Sequence, residues 1–333
     1  MQMKRILKLL VLVCVTVSII SSCSPKIKEA AGDCDKDKYV YLVAGFDEAA
    51  ENTDVLFTVS YDPNTNVGYV AQIPRDTYYR FGKSQNKINQ VYASLIPEGK
   101  SSREALEITS KRLEELFGTH FDGFIGITVD TFRRLVDAIG GIELELKESV
   151  TLDIDGEDPI VLNAGLNHVD GEQALRFVRY RSGYAMGDLG RIDAQKLFLN
   201  GIFRKISEGV SIPSMFKIAS AFQNRIVSDV KLGSLLSMYI DSLNSQNKRR
   251  VLYVTVPGEP AEASNGLSYY VLNRKNAAEI AIKYMNATNS FDEAMLCKNQ
   301  NEAAFVNIYE DDNLYYREFS NEDLADIHII QKN

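Results

Sequence analysis

The polar residues that could carry chemistry fall in four short segments. Ala44-Gly45-Phe46-Asp47 puts a carboxylate at the end of an apolar run, and Asn52-Thr53-Asp54 puts another at the start of the next. Two carboxylates at adjoining strand ends can converge on Mg²⁺, which takes oxygen ligands and often shares them with substrate phosphates. The alternative is a pair of turn and cap residues. Ile73-Pro74-Arg75-Asp76-Thr77 ends a third apolar run with an arginine, whose rigid fork of donors suits phosphate and keeps its proton. A surface pair of Arg75 with Asp76 is the alternative there. Lys87-Ile88-Asn89 adds a cation and an amide at the start of an expected helix. The densest segment is Arg176-Phe177-Val178-Arg179-Tyr180-Arg181, followed by Gly187-Asp188-Leu189-Gly190-Arg191 and Gln195, with four arginines in sixteen residues. Arg191 and Gln195 share a helix face at i and i+4, near a helix N-terminus whose free N–H groups favour anions. A solvated charged face is the other reading of this segment.

The rest of the composition concentrates attention on these groups. The chain has 333 residues, 45% hydrophobic and 25% charged, which describes one large globular domain or two small ones. With 37 basic and 45 acidic residues the net charge is −8, so a generic nucleic-acid binder is excluded and anion binding must come from local basic clusters. Trp is absent and the three histidines are His120, His168 and His328, leaving little for a His-ligated metal or a His base. No Gly-x-Ser-x-Gly elbow, Gly-rich P-loop or Cys-x-x-Cys pair is present. Any chemistry rests on carboxylates and arginines.

Elements that could position these residues are readable. Tyr39 to Phe46, Asp54 to Tyr61 and Val67 to Ile73 read as strands, with Asp62-Pro63-Asn64 turning between the last two. Ser101 and Glu104 fit a capping box; Leu106, Leu113, Leu116 and Phe117 repeat at helical spacing, and Gly118 supplies a stop. A second helix runs from about Asp130 to Gly140-Gly141, then Ile142 to Leu146 alternates as a half-buried strand. Gly171 to Arg179, Gly190 to Glu208 and Asn276 to Tyr284 read as helices, Val251 to Val256 as a strand, and residues 212 to 245 as a more helical stretch. Strands alternating with helices predict an α/β sandwich.

Residues 1–22 read as an export signal: Lys4, Arg5 and Lys8 precede an apolar run from Leu9 to Ile20 that is short for a membrane span. Ile20-Ser21-Ser22-Cys23 resembles a bacterial lipoprotein processing site, which would lipidate Cys23 and tether the chain to the membrane; an uncleaved signal anchor and an ordinary cleaved signal are the alternatives, and all three put the domain outside the cytoplasm. Residues 23–38 read as that tether, residues 39–290 as the domain, and residues 291–333, with ten acidic and three basic residues, as an acidic C-terminal extension. Removing residues 1–22 leaves 34 basic against 45 acidic residues, a net charge of −11. Cys34 and Cys297 remain in a compartment where a disulfide between them could persist.

Taken in order, Gly45-Phe46-Asp47, Asn52-Thr53-Asp54, Ile73-Pro74-Arg75-Asp76-Thr77, Lys87-Ile88-Asn89, Leu135-Val136-Asp137-Ala138-Ile139-Gly140-Gly141, Asp170-Gly171-Glu172-Gln173-Ala174-Leu175, Arg179-Tyr180-Arg181 and Gly187-Asp188-Leu189-Gly190-Arg191 resemble the LytR-CpsA-Psr family of bacterial envelope proteins. The resemblance is strong over residues 39–205 and weak to residue 288. It implies a three-layer α/β/α sandwich around a mixed central sheet, with an apolar channel for a polyprenyl tail. The implied activity is a Mg²⁺-dependent phosphotransferase moving a glycopolymer from a polyprenyl pyrophosphate carrier to peptidoglycan. By the same resemblance Asp47 and Asp54 would hold the metal. Arg75, Lys87, Arg179, Arg181, Arg191 and Gln195 would bind the pyrophosphate, with Arg75, Asp54 and Arg191 catalytic.

Two positions depart from the family pattern. Asn52 and Ala194 stand where the family often has arginine, and each removes a cation from the implied phosphate site. That keeps a second reading open: a polyprenyl-phosphate lipid-binding or pyrophosphatase protein without ligase activity. Asp54, Asp76 and Asp188 are the candidate bases, although a metal-held carboxylate is a poor one. The family's historical link to transcription finds no support in an acidic chain with an export signal, so no nucleic-acid partner is expected.

Overall fold

Tyr39–Phe46 (β1) is an apolar run without alternation, as befits a strand covered on both faces. It pairs antiparallel with Thr53–Asp62 (β2), which pairs antiparallel with Val67–Ile73 (β3). The computed structural model describes residues 37–81, 84–154, 157–208, 225–230, 245–263, 266–288 and 316–331. After β3 come Tyr78–Phe81 (β4), Ser84–Lys87 (β5), Asn89–Leu95 (α1), Ser102–Phe117 (α2), Gly123–Ile127 (β6), Val129–Ala138 (α3), Ile142–Leu146 (β7), Val150–Leu152 (β8), Ile160–Leu162 (β9) and Gly165–Val169 (β10). Gly171–Arg179 (α4), Asp188–Glu208 (α5), Val227–Ser228 (β11), Arg250–Thr255 (β12), Gly258–Glu262 (β13), Ser268–Leu272 (β14), Arg274–Met285 (α6), Phe319–Ser320 (β15) and a 3₁₀ turn at Asp323–Asp326 complete it.

The central sheet has the order β11-β6-β1-β2-β3-β12-β15. It is mixed: β6 runs parallel to β1 and β12 parallel to β3, while the other pairs are antiparallel. Strand alternation divides the side chains of β2 between two cores. Leu56 faces a layer with Tyr92 of α1, Leu106 and Phe117 of α2 and Ile280 of α6. Phe57 and Val59 face the other layer, with Leu135 of α3, Val178 of α4 and Phe198 of α5. The result is a three-layer α/β/α sandwich around a mixed sheet.

The helix signals act as the sequence chemistry requires. Ser101 and Glu104 form the reciprocal capping box of α2, and Gly118 ends it at φ 60°. Asp170 and Gln173 form a second box at α4. There Gly171 lets two backbones meet, because a Cβ at that position would sit 2.2 Å from the Arg133 carbonyl oxygen of α3. Residues 225–230, inside the stretch expected to be helical, instead contribute the edge strand β11. The remainder of that stretch lies outside the described residues, as do the export signal, Cys23, Cys34 and Cys297.

The acidic C-terminal composition does not announce what residues 316–331 do. β15 pairs with β12, and Leu324, Ile327 and Ile329 are buried in the core beneath α4 and α5. Among the described residues no helix is long and apolar enough to cross a membrane.

Candidate functional site

One edge of the sheet gathers the chemistry. Parallel β1 and β6 end together at Gly45 and Ile127, antiparallel β2 begins there, and β3 ends beside it at Ile73. The β1–β2 register shifts at Gly45 and Phe46, a bulge that redirects the chain as it leaves the sheet. The C-terminus of α4 and the N-terminus of α5 reach the same edge, the place where open α/β sheets bind ligands.

Between this face of the sheet and α3, α4 and α5 lies an apolar cavity of about 520 Å³. Val43, Phe57, Val59, Leu135, Val136 and Phe198 are among its walls. Asp54, Arg75, Arg179, Arg181, Arg191 and Gln195 line it at the strand-end edge. Arg249 and Arg250 line it at the other end, since Arg250 pairs with Val67 at the far end of β3. The span from Val67 to Gln72 makes the cavity about 17 Å long at strand rise. These far-end arginines were not legible in sequence, where nothing separates them from surface residues before a strand.

The mouth is built from two ion pairs. Arg75 Nη1 donates to Asp54 Oδ1 at 2.5 Å. Arg191 Nη2 lies 2.7 Å from Asp188 Oδ1, on the first turn of α5. Arg191 is only 5% exposed, and the Nε groups of both Arg75 and Arg191 are buried without a hydrogen-bond partner among the described residues. Such donors carry a desolvation cost that an anion would relieve. Burial opposes the Arg75 charge, yet Asp54, Asp188 and Asp76 more than offset it and hold the guanidinium above its ordinary range. Burial pushes Arg191 down, against the pull of Asp188, and the neighbouring Arg75 charge adds to the fall. Both are cations at any physiological pH.

The remaining expected residues divide. Arg179 makes a loose pair with exposed Glu48 at 3.7 Å, and the Arg181 side chain makes no hydrogen bond or ion pair among the described residues. Arg176 turns away, to Glu157, Glu172 and the Asp158 carbonyl. Gln195 accepts a hydrogen bond from Gln72 and donates to the Val178 carbonyl at 3.0 Å, so its amide ties β3 to α4 and α5. Lys87 is held by Asp76 at 2.9 Å and does not line the cavity. Arg75 and Asp76 therefore do not pair with each other; each has a different partner.

The carboxylates also differ. Asp47 accepts from the Glu51 N–H and from the Asn52 amide, each at 2.8 Å, and so closes its own turn outside the cavity. Asp54 lines the cavity, and its Oδ2 has no hydrogen-bond partner among the described residues. No cluster of three or more His, Cys, Asp or Glu side chains forms a protein-only metal cage among the described residues. The donor set fits a hard cation held by one or two carboxylates and completed by phosphate oxygens. Ala194 is fully buried, so the position where the family often has arginine faces the core.

Known proteins share this arrangement of strands and helices. The polyisoprenyl-teichoic acid–peptidoglycan teichoic acid transferase TagU of Oceanobacillus iheyensis is 26% identical over 243 residues, covering 72% of each chain. The crystal structure of protein gbs0355 from Streptococcus agalactiae superposes with a TM-score of 0.64 at 25% identity, over 81% of this chain and 93% of that one. A structure of TagT bound to LIIa-WTA gives 0.60 at 22% identity, over 77% and 92%. The model of the LytR_cpsA_psr family matches residues 17–285, spanning β1 to α6 and every residue of the cavity mouth. By that match, well over half its length, the chain belongs to the LytR_cpsA_psr family.

Proposed function

We propose that this protein is a membrane-tethered phosphotransferase that moves a glycopolymer from a polyprenyl pyrophosphate carrier to peptidoglycan. The observation that carries it is an apolar cavity whose mouth holds buried Arg191 and half-buried Arg75, each with a buried Nε donor that has no hydrogen-bond partner among the described residues. A polyprenyl tail would occupy the cavity and its pyrophosphate would meet Arg75, Arg191, Arg179 and Arg181. The named activity of the TagU relative, transfer of a polyisoprenyl-linked teichoic acid to peptidoglycan, is of the same class.

In such a reaction a peptidoglycan hydroxyl oxygen bonds to the phosphorus bearing the polymer. The bridging P–O bond breaks and polyprenyl monophosphate leaves. Little covalent work falls to the protein; positioning and stabilisation of the developing charge dominate. Arg75 and Arg191 would hold the phosphoryl oxygens, while Asp54 and Asp188 fix the two guanidinium planes. Asp54, with Asp47 nearby in sequence, would hold Mg²⁺, and the metal would supply positive charge for phosphate. The hydroxyl proton needs an acceptor. Asp54, Asp76 and Asp188, each tied to a cation, are the carboxylates placed to take it. The basic start, apolar run and Cys23 of residues 1–23, read as a lipoprotein-type export signal, are what support an extracytoplasmic, lipid-anchored location.

The test is the full chain in detergent with a lipid-linked polymer and peptidoglycan. Transfer with release of polyprenyl phosphate is expected with Mg²⁺ and lost with EDTA or in Arg75→Ala. Lipid bound but never released, with acceptor present, would instead establish a carrier. Val59→Trp, which places an indole in the cavity, is expected to lower polyprenyl binding at least ~10-fold while circular dichroism stays unchanged. Undiminished lipid binding would remove the cavity from the proposal.

A further inference from the structure

The family match ends at residue 285, yet residues 316–331 fold back to the site. The loop they reach, residues 180–187, joins α4 to α5 and so connects Arg179 and Arg181 to Asp188 and Arg191. Its inner side is fixed by Tyr184, fully buried and edge-on to Tyr180 at a centroid distance of 5.1 Å. Gly183 and Gly190 make room: a Cβ at Gly183 would lie 2.0 Å from the Tyr180 hydroxyl, and one at Gly190 2.8 Å from Tyr184 Cβ.

The outer side is fixed by the C-terminus. The Ala185 N–H donates to the Ile330 carbonyl at 2.8 Å, and Tyr184 and Gln331 form an antiparallel bridge. The Gln331 amide then clasps β8, accepting from the Thr151 N–H at 2.9 Å and donating to the Thr151 carbonyl at 2.8 Å. Upstream, Ile327 and Ile329 are buried in the core that walls the cavity. Phe319 lies beneath the Lys196 ammonium of α5 at 5.3 Å, and Asn200 of the same helix donates to the Asn321 carbonyl at 3.4 Å. The segment thus touches both the loop before α5 and the flank of the helix that carries Arg191.

We propose that Ile327 to Gln331 is a positioning strap for the 180–187 loop, with Gln331 as its clasp, and that it sets the affinity of the arginine mouth for a phosphorylated headgroup. This rests on the reading of the mouth as a pyrophosphate site. Gln331 does not line the cavity and acts only through the loop. A loop held on both sides has fewer conformations to lose when an anion binds, so the strap contributes affinity by preorganisation.

The test compares the full wild-type chain with Gln331→Ala and Gln331→Glu in detergent. Inorganic pyrophosphate affinity is read by calorimetry, and amide hydrogen exchange by mass spectrometry on peptides covering 180–188 and β1 to β3. In Gln331→Ala, exchange in 180–188 is expected to rise with β1 to β3 unchanged, and pyrophosphate affinity to fall about ten-fold, the scale of one or two lost hydrogen bonds. Gln331→Glu keeps the acceptor for Thr151 N–H and should recover part of the affinity. Faster loop exchange with unaltered affinity would overturn the strap as a determinant of binding. Unchanged loop exchange would overturn it as a strap, and faster exchange throughout β1 to β3 would reduce it to a general stability effect. A wild-type chain that binds no pyrophosphate would remove the site reading and this inference together, whereas wild-type binding insensitive to Gln331 removes the inference alone.

Discussion

Arg191→Ala is expected to lower polymer transfer by about 10² to 10³-fold, the range seen when one preorganised donor to a developing charge is removed. Arg191 is chosen over Arg75 because it is the more enclosed, 5% exposed, and sits on the first turn of α5 where backbone N–H groups add to its field. The loss should fall in kcat and kcat/KM together, as for an interaction made mainly in the transition state. Arg191→Lys keeps a charge without the planar fork and should recover only part of the rate. The partner left behind, Asp188, is about a quarter exposed and can be solvated, so the variant should still fold. Single-turnover assays on lipid-linked polymer decide the matter; a rate within a few-fold of wild type would take Arg191 out of the chemistry.

Gly171→Ala should be strongly destabilising. Its Cβ would fall 2.2 Å from the Arg133 carbonyl oxygen, 2.8 Å from the carbonyl carbon and 3.0 Å from Cα, all backbone atoms with nowhere to rotate. Helices α3 and α4 must separate, and the hydrogen bond from Gly171 N–H to Asp137 Oδ1 at 2.7 Å must stretch with them. Overpacking of this kind costs about 3 kcal/mol. Gly165→Ala is the control: its φ is +94° but nothing lies within 4 Å of the added methyl, leaving only a backbone cost of about 1 kcal/mol. Urea unfolding of the pair measures the difference. Equal losses would mean that the α3–α4 contact yields more easily than its geometry implies.

Much of the scaffold could be read from the chain. β1, β2 and β3 announce themselves by apolar runs around a turn, and α2 and α3 by helical spacing between a cap and a glycine. The hairpins β4–β5, β8–β9 and β13–β14 were missed because strands of three to five residues carry too little alternation to stand out. The strap was hidden for another reason. Leu324, Ile327 and Ile329 change from helical i+3 to strand i+2 spacing within six residues, too short a run for either period to stand out, and acidic neighbours mask them. At the site, sequence proximity to the arginine cluster selected Arg179, Arg181, Arg191 and Gln195, which the fold places along one cavity with Asp54 and Arg75. It could not show that Arg176 turns to acidic neighbours, that Asp76 captures Lys87, or that Asp47 closes a turn with Asn52. For Arg176 and Asp47 a partner four or five residues away competes with the distant site, and for Asp76 the β4–β5 hairpin returns Lys87 from eleven residues on.

A carrier lipid seated in the apolar cavity, as proposed above, would make folding answerable to the membrane. Its walls are core residues of the sheet and of α3, α4 and α5, so a guest that fills it completes a hydrophobic interior the chain builds only in part. Any molecule that binds the folded chain and not the unfolded one stabilises it by mass action, by about 2.7 kcal/mol at a hundred times its dissociation constant. The supply of carrier lipid would then govern how long each copy survives as well as how fast it works.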